Sequence, residues 1–147
     1  MTHHLAQMNV AFLAAPLDSP QLAAFVSALD RINALAERSP GFVWRLQDDA
    51  GDATALRPLG DNTLINMSVW KDVDSVRRYA YESEHVDFLR RRREWFIRSD
   101  AAQLVLWWLP AGHEPGVQEG IDRLRLLQAQ GPTPAAFNFG ALFPEPG

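Results

Sequence analysis

The octapeptide Thr63-Leu64-Ile65-Asn66-Met67-Ser68-Val69-Trp70 sorts its side chains into two rows. Ile65, Met67 and Val69 form one row and Asn66, Ser68 and Trp70 the other, the two-residue period of a β-strand. The first row is wholly apolar, whereas the second mixes hydrogen-bonding groups with an indole. Such a strand separates a dry face from a face able to hold something polar.

Working upstream, Phe42 to Gln47 alternates in the same way, with Phe42, Trp44 and Leu46 on one face and Val43, Arg45 and Gln47 on the other. The intervening segment, 48–62, is rich in Asp, Gly and Pro and predicts a hairpin-like loop. Leu22, Phe25, Val26, Leu29, Ile32 and Leu35 recur at three and four residues, the pattern of an amphipathic helix. Ser19 is a candidate cap with Pro20 at the first helical position, and Ser39-Pro40-Gly41 stops the helix. The first strand is His4 to Leu13, where Ala6, Met8, Val10 and Phe12 alternate with Leu5, Gln7, Asn9 and Ala11.

Downstream, two helical pieces are expected at Val73 to Tyr81 and Glu84 to Ile97, with Ser83 as a cap between them. Gln103 to Leu109 (QLVLWWL) is a strand apolar on both faces, hence central or covered. The order predicts an α+β chain with a ferredoxin-like βαββαβ core and a four-stranded antiparallel sheet, two helices lying over one face. The apolar rows Ala6/Met8/Val10/Phe12, Phe42/Trp44/Leu46 and Ile65/Met67/Val69 are expected to face those helices. The opposite face would then carry Gln7, Asn9, Arg45, Gln47, Asn66 and Ser68, together with Trp70 and either Trp107 or Trp108. That face is too apolar to leave bare, so a homodimer joined through it is expected. A third helix, Gly116 to Gln128, and an irregular strap from Gly131 to Gly147 with four Pro and three Phe complete a single domain. Its core is expected at about 4–110.

Composition narrows the function. The 147 residues carry 18 acidic and 14 basic side chains, a net charge of -4 that disfavours a nucleic-acid module. Cysteine is absent, which excludes thiol nucleophiles, disulfides, thiolate zinc sites and iron–sulfur clusters. No apolar run approaches a membrane span and no leader peptide is visible, so a cytoplasmic location is expected. Lys71 is the only lysine, and nothing around it recommends Schiff-base chemistry.

Gln7, Asn9, Arg45, Asn66 and Ser68 converge from three strands, as neutral and cationic donors do on the wall of a small-molecule pocket. Trp70 would line it. His85 shares a helix face with Phe88, Leu89, Arg92 and Trp95. It reads either as a core histidine or as a general base, with haem ligation a third role. Arg92, on the same face, is a candidate for holding a substrate anion. Within the run Arg90 to Arg93, Asp87 with Arg91 and Arg90 with Glu94 form i,i+4 pairs, so much of the run is expected to be a solvated helix face. His3 and His4 precede the first strand and His113 lies in a loop without metal-site spacing, so neither a metal nor a cofactor is expected.

Leu5-Ala6-Gln7-Met8-Asn9, Phe42-Val43-Trp44-Arg45-Leu46, Asn66-Met67-Ser68-Val69-Trp70, Arg91-Arg92-Arg93-Glu94-Trp95-Phe96 and Leu106 to His113 resemble a bacterial family of unassigned function, domain-of-unknown-function family 3291. More widely, Ser68-Val69-Trp70 and Ser83-Glu84-His85 resemble the antibiotic-biosynthesis monooxygenase superfamily of dimeric α/β barrels, although here His follows Ser after a single residue. The resemblance implies a dimeric barrel and a polar first-strand residue, here Asn9, near the reaction. It points to a cofactor-independent monooxygenase acting on an aromatic or polyketide-like compound, with His85 and Asn9 catalytic. The rivals are a non-redox cyclase, lyase or isomerase, and a non-catalytic dimeric small-molecule-binding protein.

Overall fold

The computed structural model describes residues 2–48, 51–82 and 85–147, with the side chains of 82 and 85–89 outside the described set. The chain runs β1 (His3–Leu13), α1 (Ala23–Arg38, after a 3₁₀ turn at Pro20–Leu22), β2 (Phe42–Arg45), β3 (Thr63–Trp70), α2 (Val73–Glu82) and α3 (His85–Trp95). It continues through a short β4 (Phe96–Ile97), β5 (Leu104–Pro110) and α4 (Val117–Gln130). All pairings are antiparallel, in the order β2-β3-β1, with β5 and the end-paired β4 both hydrogen-bonded to β1. This is the expected ferredoxin-like sheet. Phe96 and Ile97, expected to extend a helix, instead pair with Phe12 and Leu13. Among the described residues, no helix is long and apolar enough to cross a membrane.

The two sheet faces are covered the other way round from the sequence expectation. Ala6, Met8, Val10, Ile65, Met67, Val69, Val105 and Trp107 pack against Ile121, Leu124 and Leu127 of α4. The crossover helices α1, α2 and α3 lie instead over the row that contains Gln7, Ser68 and Trp70. Strand alternation assigns side chains to rows but does not say on which side of the sheet the crossovers pass. The wholly apolar row takes the C-terminal helix, whose Leu and Ile stripe covers it continuously. The expected homodimer was to cover the face opposite the crossovers; α4 does so within the chain, so that apolar surface no longer calls for a second copy.

Helix α4 sits close to the sheet because of Gly120. A Cβ at this position would lie 2.6 Å from the sulfur of Met8 and 3.0 Å from that of Met67. Both methionines are almost fully buried and have little room to give way. Gly120→Leu is therefore expected to lift α4 and lower stability by about 1–3 kcal/mol, the usual cost of overpacking. A shifted urea midpoint checks it, and an unchanged midpoint would show α4 to be loosely seated.

A second local departure decides which side chains of β2 reach the site. Phe42 lies opposite Trp70, but Trp44 lies opposite Val69 and Arg45 opposite Ser68, a β-bulge between Phe42 and Trp44. The extra residue puts Phe42 and Arg45 on the crossover side and Trp44 on the α4 side, where alternation alone had placed Phe42 with Trp44. On β5 the doubly apolar pattern has its reason in two covers: Trp107 meets α4, while Trp108 donates to the carbonyl of Phe143 in the tail at 2.9 Å. The tail also pairs Phe137 with Leu106, shielding the free edge of β5.

Asp72, just before helix α2, accepts from the Ser75 N–H at 2.8 Å and the Ser75 hydroxyl at 2.7 Å. The Ser75 hydroxyl bond, ahead of smaller contributions from the Ser75 N–H and nearby cations, holds the Asp72 carboxyl below its ordinary 3.8. A carboxylate with a depressed folded-state pKa stabilises above the ordinary value, and that stabilisation is lost as pH falls through the folded value. Asp72→Asn is therefore expected to destabilise less at about pH 3 than at about pH 7. Urea midpoints at the two pH values test this, and an equal loss at both would refute the linkage.

Candidate functional site

Three strands bring the polar row together by register. Gln7 stands opposite Ser68 on one side of β3 and Arg45 opposite Ser68 on the other, while Asn9 stands opposite Asn66. Gln7 donates from its amide nitrogen to Asn66 Oδ1 and to Ser68 Oγ, both at 2.8 Å. Trp70 Nε1 donates to the same hydroxyl oxygen at 2.8 Å. Gln7, Ser68 and Trp70 are buried, Asn9 is half-buried, and Asn66 is exposed.

An exposed side chain on a strand flanked by two neighbours means that the helices do not close over it. Two apolar clusters bracket the gap. One gathers Leu5, Trp70, Val76 and Leu106 under α2 and the tail; the other gathers Leu13, Leu22, Leu64 and Trp95 beside α1 and α3. Asn66 and Asn9 lie between them along the sheet, so the row has apolar ends and a polar middle. That is the general composition of a small-molecule site.

At the other end Trp70, expected to line a pocket, is instead buried at 1% exposure inside an aromatic cluster, because Tyr79 and Phe42 cover its ring. The Trp70 ring stacks on Tyr79 of α2 at 5.1 Å between centroids and 29°, and meets Phe42 edge-on at 5.5 Å. Burial pushes the Tyr79 phenol well above its ordinary range, and the Arg45 guanidinium offsets this only in part. Tyr79 therefore stays a neutral donor and is no base near neutral pH. Arg45, whose side chain is only 12% exposed, donates from Nε to Glu37 Oε1 at 2.8 Å. The pair brings a cation to the edge of the row with its charge already partly balanced.

Other expected residues fall elsewhere. Arg92 is exposed, whereas Trp95 of the same helix is buried with Leu13, Leu22 and Leu64. Arg91 pairs with Glu94 at 2.9 Å, an i,i+3 contact, and lies 4.8 Å over the Trp95 ring. His85 begins α3, but its side chain and those of its neighbours through Leu89 lie outside the described residues. So does the Asp87 side of the expected pair with Arg91. Among the described residues no cluster of three His, Asp or Glu side chains could hold a metal ion. A groove of about 490 Å³ opens near Leu17, Val26 and Arg57, and none of the polar row lines it.

Residues 4–147 match the family described as Domain of unknown function (DUF3291). The chain belongs to that family. No curated protein matches it. Among solved structures, NE2512 of Nitrosomonas europaea, a protein of unknown function, superposes with a TM-score of 0.51 at 14% identity, over 78% of this chain and 97% of its own. That likeness shows the shared fold. SnoaB, a cofactor-independent oxygenase from Streptomyces nogalater, gives 0.47 at 22% identity over 77% and 97%. A further Nitrosomonas europaea protein, provisionally assigned to the antibiotic biosynthesis monooxygenases, gives 0.49 at 13% over 79% and 97%.

Within this DUF3291 chain, two residues that contact the row were not visible in the sequence pattern. Tyr79 follows Val76 by three residues and Val73 by six, a spacing that places it on the inward side of α2. Glu37 carried no such signal, because its bond to Arg45 spans the turn between α1 and β2. A third missed contact lies on the α4 side, where Glu119 accepts from the buried Trp107 Nε1 at 3.0 Å and meets His113 at 2.7 Å. A separation of six residues across a helix start belongs to no regular pattern, so His113 read as an isolated loop residue.

Proposed function

We propose that this protein is a small-molecule enzyme whose cleft lies between the polar row of the sheet and the crossover helices, and that it is a cofactor-independent monooxygenase of an aromatic or polyketide-like compound. One observation carries the reading: Asn66 is exposed on a central strand, between two apolar clusters, with its carbonyl already engaged by Gln7. A flat ring system would rest against the half-buried Tyr79, which stacks over the buried Trp70. An acidic C–H next to a carbonyl or phenol would be deprotonated by a base, for which His85 is the candidate from sequence. The resulting oxyanion would meet the Asn66 N–H₂ group, with Asn9 beside it in register. The carbanion form of the substrate then reduces dioxygen itself. In the overall step a CH₂ group and O₂ become C=O and H₂O, so the substrate supplies all the electrons.

Oxygen uptake with a panel of polycyclic phenols and their keto tautomers tests the reading. Stoichiometric consumption with conversion of CH₂ to C=O supports it. Conversion without oxygen uptake would replace it with a cyclase or isomerase, and tight binding without conversion with a binding protein. On an oxidised substrate, His85→Gln is expected to lower turnover by about 10²-fold with little change in folding, the scale of a lost general base. Unchanged turnover would remove His85 from the chemistry.

A further inference from the structure

The sequence places Gln7 among the residues that would touch a ligand, but the structure buries it and turns its amide sideways into the sheet. Gln7 is 7% exposed, and its nitrogen is directed at Asn66 Oδ1 and Ser68 Oγ, both 2.8 Å away. The geometry points to a different role: Gln7 is a positioning residue that sets the polarity of the cleft. By holding the Asn66 carbonyl, it turns the Asn66 N–H₂ group outward and so commits the site to a ligand that offers a hydrogen-bond acceptor, a carbonyl oxygen or its anion. This deepens the reading of the cleft as a small-molecule site and rests on it.

The argument is a matter of donor and acceptor capacity. Indole Nε1–H only donates, so in its bond to Trp70 the Ser68 oxygen is the acceptor. The Gln7 amide supplies a second donor to that oxygen, filling both of its lone pairs. The hydroxyl hydrogen of Ser68 is therefore free to donate to a third group. The other Gln7 amide hydrogen goes to Asn66 Oδ1. If the Asn66 amide turned over alone, its N–H₂ group would face the Gln7 N–H₂ group, donor against donor. Asn66 is thus held in place by Gln7, and Gln7 by two acceptors at once.

One other self-consistent arrangement exists, in which Gln7 and Asn66 turn over together. Gln7 Oε1 would then accept from Asn66 and Ser68, and Asn66 would show its carbonyl to the cleft. The orientation of this single buried amide therefore selects between a donor-lined and an acceptor-lined site. Gln7→Glu is the chemical means of forcing the second state, because a carboxylate can only accept.

Two measurements test the proposal. In the unliganded protein, side-chain amide hydrogen exchange followed by NMR is expected to show both Gln7 protons protected and both Asn66 protons exchanging fast. A protected Asn66 proton paired with an unprotected Gln7 amide would overturn the orientation. This reading needs no variant and no substrate, so it stands apart from the oxygen-uptake test. The second compares binding of 1-acetonaphthone, an acceptor, with 1-naphthylamine, chiefly a donor. The parent protein is expected to prefer the ketone by about tenfold, the scale of one net hydrogen bond. Gln7→Met is expected to abolish the preference and Gln7→Glu to reverse it. A preference unchanged in both variants would overturn the positioning role. Failure of the ketone to bind the parent protein would overturn the assignment of ligand class, while the exchange pattern would still report the amide orientation.

Discussion

Asn66→Ala is expected to lower turnover of an oxidised substrate by about 10²- to 10³-fold, the usual loss when one preorganised donor to a developing oxyanion is removed. The same change is expected to leave stability within about 0.5 kcal/mol of the parent, as for other exposed positions. The contrast follows from where Asn66 sits. It is exposed on a central strand, so truncation opens no dry cavity and water can replace the amide. Its partner Gln7 keeps the bond to Ser68, so no buried donor is left wholly unpaired. The split between kcat and KM carries the mechanistic content. A loss confined to kcat means that the amide acts on the oxyanion of the transition state, whereas a rise in KM alone would mean ground-state binding. A variant with full activity would remove Asn66 from the reaction and, with it, the observation on which the oxygenase proposal rests.

The fold was legible because its signals are local and redundant. The alternation in Thr63 to Trp70, the three-and-four spacing of α1 and the Pro-Gly stop at Pro40-Gly41 each follow from one short segment. Three things were not legible, and each has a non-local cause. The side of the sheet on which the crossovers pass depends on which helix best covers the apolar row, a competition between α1 to α3 and α4 that no single segment encodes. The bulge in β2 depends on pairing with β3, and it moved Phe42 from the α4 side to the aromatic cluster around Trp70. Arg92 has the spacing of an inward residue relative to His85, yet it is exposed while Trp95, one turn on, is buried beside Leu13 and Leu64, a difference set by what packs at each end of the turn. The polar row itself was legible, since Gln7, Asn66, Ser68 and Trp70 share a parity that survives whichever helices cover them. What parity could not show was their division of labour, in which Gln7 and Ser68 hold the row together and Asn66 faces outward.

Trp70→Ala is expected to cost about 3–5 kcal/mol of stability, the range for deleting a fully buried large aromatic. Trp70 is 1% exposed and joins three elements: it stacks on Tyr79 of α2, meets Phe42 of β2 edge-on and donates to Ser68 on its own strand. Removing the ring therefore leaves a cavity between the sheet and α2, as well as a hydroxyl with one donor fewer. Trp70→Phe separates the two effects. It keeps an aromatic ring for Tyr79 and Phe42 while deleting the only indole donor to Ser68, so the expected loss is about 1–3 kcal/mol. Guanidinium midpoints on the two variants measure both terms. The functional consequence follows from the network: without the indole N–H, Ser68 can turn its hydroxyl toward Gln7, and the amide that orients Asn66 loses a fixed acceptor. Trp70→Phe is thus expected to lose turnover beyond what its stability loss explains when activity is scaled to folded protein. If activity per folded molecule stays at the parent level, Trp70 is a packing residue alone, and the order of the polar row does not depend on it.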